Sequence, residues 1–504
     1  MESLSETPWD VVICGTGLQQ SLLALALSRS DKKILHIDPN QYYGGPEAAF
    51  SLQEADAWAS EIAQAPSSSV FTAAAVTRPD EIPDGGVKLS FPRAYALSLS
   101  PQIVHANSKL LSQLVSSRCY RQLEFLAVGS FFIFRPASET TATPTLARIP
   151  STREDVFSST DLSARVKRQL MKFLKLVLSY EEEATLPQWQ EYAERPLAEL
   201  LSEKMSLDEG LKTYIITLTL SLDGRISTKD GLAAIHRHMT SMGLFGPGFA
   251  AVYPKWGGGS EIAQVGCRAG AVGGGVYMLG TGIKGIKGVG TADEVELELS
   301  EGTVIKTKTL FRGPVEVPAA NGATVSRLVA IVGAPLASLF EPTLEGAPAP
   351  AVAVIALPPK SVKTSDGFES TYPIYAIAHS SDTGECPAGQ SILYLNTIHI
   401  PQSKSLLETS VDLLLSSLCP EGSKAQVLYQ LYYEQQAGGV NCLAGEQRVF
   451  EFPTLPVSLT LEDSLLDPIH QAWAKAMGDE LSEEALAEYM IFADREGADD
   501  DDYE

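Results

Sequence analysis

The sequence predicts an α/β protein. A large, discontinuous, FAD/NAD(P)-binding-like (Rossmann-type) domain is interrupted by a smaller all-helical insert. Three observations carry this. Residues 9–45 read as strand, glycine turn, helix, strand and acid without interruption. From 154 to about 241 the apolar period becomes helical, and beyond Gly282 the chain alternates as β. Strands on both sides of the helices can then share the sheet that begins at Val11.

In the opening unit, Val11, Val12 and Ile13 form a short apolar run and Gly15-Thr16-Gly17 a tight turn. Residues 18–29 read as a helix, and 34–37 as a second strand ending at Asp38. That acid stands about twenty residues past the turn, where a dinucleotide-binding fold places a ribose partner. The third glycine of G-x-G-x-x-G is replaced by Gln20. Because that glycine permits close helix–strand packing, a long polar side chain there fits a flavin poorly. Tyr42-Tyr43-Gly44-Gly45 follows.

Residues 51–68 read as a helix, 79–86 as a loop, 97–104 as an alternating stretch leading into a helix at 108–116, and 124–134 as one or two strands. Residues 135–152 are rich in Pro, Thr and Ala and mark a domain junction. Val166, Leu170, Phe173, Leu174 and Val177 then share one helix face. Further helices are expected at 196–204, 211–222 and 229–242, giving a small bundle. Such a bundle can open a groove for an apolar ligand, although core packing is the commoner fate of such residues.

The densest glycine stretch, 243–282, contains a helix at 261–271 and a strand at 276–279. Glu261, Gln264 and Arg268 fall at i, i+3 and i+7, so three polar side chains line one side of that helix. A solvated face is the alternative reading. Strands are expected at 295–299, 304–311, 328–332, 352–357, 374–378, 391–398 and 427–433, with a helix at 406–418. The domain reading is therefore 1–134 with 243–480 as the large α/β unit, 150–242 as the helical unit, and 481–504 as an acidic disordered tail.

Formal net charge is −24, from 38 basic and 62 acidic side chains. That balance opposes nucleic-acid binding and adhesion to anionic lipid, and favours basic partners. No apolar run approaches a membrane span and the polar start has no signal-peptide pattern, so a cytosolic location is expected. The six cysteines have no C-x-x-C spacing, and no nucleophile elbow, H-E-x-x-H or P-loop lysine occurs. His236 and His238 lie two apart on a predicted helix and are expected to be exposed or capping rather than metal ligands. A binding protein is favoured over an enzyme.

The segment GTGLQQSLLALALSRSDKKILHIDPNQYYGG resembles the opening signature of the GDP-dissociation inhibitor and Rab escort protein superfamily. YPKWGGGSEIAQVGCRAGAVGGGVYML resembles its second block, with weaker similarity over 97–134 and the C-terminal strands. The resemblance implies a flavoenzyme-like fold that uses no FAD or other cofactor. Gly15, Gly17, Gly44 and Gly45 then form the family's structural glycine motif. Tyr43, Glu261, Gln264 and Arg268 would read the switch surface of GDP-bound Rab, beside a mobile effector loop at 242–256. Val276 stands where some inhibitors carry threonine, and the run Gly257-Gly258-Gly259-Ser260 is one residue longer than the family pattern. A geranylgeranyl group is the implied bound lipid, with Leu170, Leu174, Leu218 and Ile235 as candidates to line its groove.

PSTREDVFSSTDLSARVKRQLMKFL resembles the escort branch of this superfamily, in which a phenylalanine and an arginine eleven residues later contact the α subunit of Rab geranylgeranyltransferase. Those positions are Phe157 and Arg168. Without the resemblance, Phe157 reads as a hydrophobic staple before an Asp161 helix cap. The implied role is non-catalytic: to present unprenylated Rab to the transferase α/β heterodimer and carry the prenylated product to membranes, with only transient membrane contact. A GDP-dissociation inhibitor is the second reading, and an FAD-dependent oxidoreductase the alternative of another class.

Overall fold

The computed structural model describes residues 4–64, 69–79, 86–137, 143–149, 163–287, 294–314, 323–419, 425–438, 442–478 and 481–493. Its opening unit follows the pattern: β1 (Pro8–Cys14), α1 (Leu18–Leu27) and β2 (Ile34–Asp38). β1 and β2 pair in parallel, Val11 opposite Ile34. All ten residues of α1 are buried, and after Leu27 the Ser28 N–H turns to the Leu25 carbonyl at 3.1 Å. Next comes α2 (Leu52–Ile62), held at its start by a reciprocal Ser51–Glu54 capping box.

β3 (Phe71–Thr77), a two-residue strand at Val104–His105, α3 (Lys109–Ser116) and the single long β4 (Phe125–Arg135) follow. β5 (Thr145–Arg148) pairs antiparallel with β4, so part of the expected junction belongs to a sheet. The helical region contains α4 (Ala164–Leu178), α5 (Glu209–Leu218) and α6 (Thr228–Ser241). The helix expected at 196–204 is instead one short turn, Leu197–Glu199, passing into the π-helical Leu200–Lys204. α5 ends four residues early because Leu220 turns the chain at a φ of 55°.

Beyond it lie β6 (Ala251–Pro254), α7 (Gly259–Val272), β7 (Val276–Leu279), β8 (Ile283–Lys287), β9 (Val295–Leu299) and β10 (Val304–Arg312). Then come β11 (Thr324–Val332), β12 (Val352–Leu357), β13 (Ile374–His379), β14 (Ser391–Ile398), α8 (Ser403–Leu418) and β15 (Val427–Gln436). A hairpin, Ala444–Glu446 with Val449–Glu451, leads to α9 (Leu466–Met477).

Two large sheets result, which corrects the expectation of one. The first runs β7-β2-β1-β10-β9-β8, joined at β10 by the hairpin. The second runs β3-β15-β11-β14-β13-β12-β4-β6, ending in Val104–His105, so β11 to β15 do not rejoin the sheet of β1. The physical reason lies in their burial. Every residue of β12 and β13 is buried, so these strands need cover on both faces. α8 covers one face through Leu407, Val411 and Leu414. α2 and the helical region cover the other, Trp58, Phe173 and Ile235 sharing one core with Val354, Ile377 and Tyr429. The helical unit is thus seated on the second sheet, while α1, α7, α3 and α9 build the core beside the first.

The expected acidic tail is partly folded. Met490 is buried, the Tyr489 ring lies 4.9 Å from Trp473, and the Phe492 N–H donates to the Ser116 carbonyl at 3.0 Å. Three apolar residues among the acids bind this segment to α3 and α9; residues 494–504 lie outside the described residues. Among the described residues, no helix is long and apolar enough to cross a membrane.

Candidate functional site at the glycine turn and the adjoining helix face

The turn after β1 is closed by the protein's own side chains. The Thr16 N–H and hydroxyl donate to Asp38 Oδ2 at 2.7 and 2.6 Å, and the Asn40 N–H donates to Oδ1 at 2.7 Å. Asp38, at the ribose position, is therefore engaged in holding the turn. Gly15 takes a φ of 101°, which a side chain rarely adopts. The first amide of α1, Leu18 N–H, donates to Glu47 Oε2 at 2.9 Å.

Glu47 is buried. Burial pushes its carboxyl up to about 7 against the pull of the Leu18 amide and its own backbone amide. Gln20 does not wedge between helix and strand as expected; its side chain lies over the turn. A Cβ placed on Gly17 would stand 3.0 Å from Gln20 Oε1, and one on Gly15 3.4 Å from its Nε2. A dinucleotide's pyrophosphate belongs on this helix N-terminus. Here a carboxylate already sits there and an amide covers the turn, so these residues do not fit that group.

The adjoining face is formed by α7. Its inner side is unusually close to α1: a Cβ on Gly266 would stand 2.7 Å from the Ser21 carbonyl, and one on Gly273 would strike the Ser28 carbonyl. Gly266, Gly270 and Gly273 turn inward, leaving Gln264 and Arg268 exposed and Glu261 half-buried. Burial raises the Glu261 carboxyl, with the Arg268 guanidinium acting against it, so the two are electrostatic neighbours. Gln264 Nε2 donates to Ser260 Oγ at 3.2 Å.

Tyr43 reaches the same surface. Gly44 and Gly45, at φ 99° and 49°, bend its loop against the start of α7, where a Cβ on Gly44 would meet Ser260 Oγ at 3.2 Å. The half-buried Tyr43 phenol is raised by burial and by neighbouring Cys267 and Asp38. The loop of Tyr43 is thus brought against the start of the helix that carries Glu261, Gln264 and Arg268.

Against Gly258, the residue before α7, lies a buried network with no counterpart among the expectations. Tyr253 and Tyr394 donate to the two oxygens of Glu385, each at 2.8 Å, and His379 Nδ1 lies 2.7 Å from Glu385 Oε2. Tyr253 Oη would stand 2.6 Å from a Cβ on Gly258, the residue before α7, so the network fixes where that helix begins.

The other expected residues lie elsewhere. Of the loop 242–256, Ala251–Pro254 is the buried strand β6; the exposed part carries Leu244 and Phe245, each 56% accessible. Arg168 is exposed on α4, its Nε donating to the Ala164 carbonyl at 3.2 Å, whereas Phe157 lies outside the described residues. Leu170, Leu174, Leu218 and Ile235 are buried in the shared core, and none of them lines the described cavities. A cavity of about 810 Å³ does border the helical unit, between Leu220–Ile226 and Tyr372, at other residues. His238 is neither exposed nor capping: it is buried 5.1 Å from Phe131 and 5.7 Å from His105, and burial holds it near 4. The helix places it on the inward face that the two-residue spacing from His236 left undetermined.

Fold and site together define a class: a flavoenzyme-like dinucleotide-binding architecture whose phosphate seat is filled from within and whose neighbouring helix face is open. A family model described as GDP dissociation inhibitor matches residues 5–342, and the chain belongs to that family. It is 31% identical over 420 residues to the Saccharomyces cerevisiae protein named Rab proteins geranylgeranyltransferase component A. That match covers 82% of this chain and 66% of the relative. A Candida albicans protein of the same name is 28% identical, with 82% of this chain and 63% of the relative covered. The chain therefore spans about two thirds of these relatives' lengths. Among solved structures, a Plasmodium falciparum Rab GDI superposes with a TM-score of 0.64 at 19% identity, over 94% of this chain and 99% of that one. An oxidoreductase from Methanosarcina mazei superposes with a TM-score of 0.53 at 12% identity, over 90% of each chain. These likenesses establish the fold.

Proposed function

We propose that this chain is a Rab escort protein, a non-catalytic accessory subunit. It binds GDP-bound Rab, presents the Rab C-terminus to the geranylgeranyltransferase α/β heterodimer, and carries the geranylgeranylated product from the cytosol to membranes. The observation that carries the reading is the pairing of a self-filled phosphate seat at Glu47 with an open, polar α7 face beside Tyr43. Such a scaffold binds no flavin and offers a rim for a protein partner. The names of its yeast relatives point to the transferase system.

In this reading Tyr43, Glu261, Gln264 and Arg268 contact Rab, and Phe157 and Arg168 contact the transferase α subunit. The lipid enters the helical unit. With Leu170, Leu174, Leu218 and Ile235 packed as core, that entry requires the helices to part.

The test is prenylation in vitro with purified transferase, an unprenylated Rab and geranylgeranyl diphosphate. Adding this protein should start lipid transfer; a protein that only extracts prenylated Rab from membranes would be an inhibitor instead, as the family description and the Plasmodium neighbour suggest. Phe157→Ala should weaken transferase binding by about 2 kcal/mol, as truncation of a buried aromatic anchor does, measured by titration calorimetry. A flavin absorbance band in the purified protein would overturn the reading.

A further inference from the structure

Between Ser163 and Leu178 the chain carries five basic residues and no acid, although acids outnumber bases 62 to 38 over the whole sequence. α4 sorts them. Its buried side is Leu170, Phe173, Leu174, Leu176 and Val177, whereas Arg165, Arg168, Lys172 and Lys175 are exposed. At i, i+3, i+7 and i+10, these four fall within roughly a quarter-turn of arc and extend about 15 Å along the helix. Among the described residues, none of the four meets a carboxylate; Arg168 Nε donates to the Ala164 carbonyl.

Lys204 widens the patch. Its loop lies against α4, where Gln169 Nε2 donates to the Ser206 carbonyl at 3.0 Å, and Lys204 itself is exposed. The acids around that loop are taken: Glu203 by Arg195 at 3.0 Å, Asp208 by the Leu211 N–H at 2.9 Å, and Glu209 by Lys212. Glu181, Glu182 and Glu183, exposed just beyond the helix, end the stripe on its C-terminal side. None of the described cavities is lined by α4, so the cations stand on an open ridge.

We propose that this ridge docks the protein on anionic lipid bilayers, with Arg165, Arg168, Lys172, Lys175 and Lys204 meeting the headgroups. A line of cations without a pocket suits an extended negative plane, which engages all of them at once. The same plane repels the rest of this acid-rich molecule, so charge turns the helical unit toward the membrane and keeps the contact weak and reversible. The whole-chain balance, which by itself opposes adhesion to anionic lipid, thereby becomes an orienting force. The inference deepens the delivery role proposed above and rests on it only for the cargo. If Arg168 meets the transferase as proposed, membrane and transferase compete for one ridge, and delivery follows release.

Flotation of the full chain, without Rab or transferase, on vesicles of phosphatidylcholine alone or with about one third phosphatidylserine tests it. Binding to the anionic vesicles should be at least tenfold tighter, and should vanish in about 1 M salt, where the screening length is about 3 Å. Lys172→Glu with Lys175→Glu should cut it at least tenfold, and Lys172→Gln with Lys175→Gln at least threefold. Lys88→Glu with Lys360→Glu makes the same change of net charge at exposed positions outside the helical unit, and should cut it less than threefold. Equal binding to the two vesicle types, binding to neither, binding that survives the salt, or equal loss in the ridge and control pairs overturns the idea. So does a Lys172/Lys175 reversal that loses the transferase and keeps the vesicles, which makes the ridge a protein-docking surface. Failure of the prenylation assay with vesicle binding intact sinks the escort reading and leaves this one standing.

Discussion

The glycine turn and the outer face of α7 are neighbours on the same pair of helices, yet they are finished in opposite ways. At the turn each charged group finds its counterpart inside the chain: Asp38 receives Thr16 and Asn40, and Glu47 receives the first amide of α1. On α7, Arg268 stands exposed and Glu261 is only half-buried, with a long-range attraction between them. A satisfied interior site contributes to folding and offers a partner little. An exposed, under-paired face contributes little to folding and leaves its hydrogen-bonding capacity for another molecule.

If that contrast is right, breaking the support beneath the open face should cost most. Glu385→Ala would strand two tyrosine hydroxyls and the His379 ring in the core, and should lower unfolding stability by about 4 kcal/mol, seen as a drop in the urea midpoint. Next in size is the pH dependence from the closed site. The folded protein keeps the Glu47 proton up to about pH 7, whereas the unfolded chain loses it near 4.5. Between those values the native state holds more protons, so stability should fall as pH rises, by on the order of 3 kcal/mol across the window. Glu47→Gln should flatten that slope in pH-resolved thermal unfolding.

The smallest effect belongs to the open face. Arg268→Ala should leave the unfolding midpoint within about 0.5 kcal/mol of wild type. If α7 is the proposed Rab platform, the same change should weaken Rab binding by about 1 kcal/mol in a fluorescence titration, with binding to the transferase unchanged. A large stability loss from Arg268→Ala would erase the distinction between the two regions.

Local patterns were legible wherever they were short and strongly periodic. The strands Val276–Leu279, Val295–Leu299, Val352–Leu357 and Ser391–Ile398 have the expected bounds, because short apolar or alternating stretches closed by Gly, Pro or polar residues leave little choice. Their partition into two sheets was not legible, since alternation says which face a residue takes but not which strand lies beside it. The placement of Glu47 was hidden for a related reason. An acid two residues beyond Gly44-Gly45 looks like a loop residue until the left-handed glycines fold it back onto α1. The glycines of α7 and its end were visible as composition, but their spacing acquires meaning only once Ser21 of α1 and Ser28 just after it are known to lie opposite. α9 was missed because its start, with Pro468 in the first turn, reads as loop, although proline is tolerated there. Tyr489, Met490 and Phe492 were outweighed by the acids around them until their docking surface on α3 and α9 existed.

The Leu18–Glu47 bond has a consequence for how the molecule exists before it meets anything. In a protein whose helix terminus is completed by a bound anion, the native state gains stability with ligand concentration, and newly made chains wait for supply. Here the completing acceptor, the Glu47 carboxyl group, is covalently part of the chain, at the same effective concentration in every molecule from the moment of synthesis. Maturation at this terminus is therefore a property of the polypeptide alone, indifferent to the nucleotide pools around it.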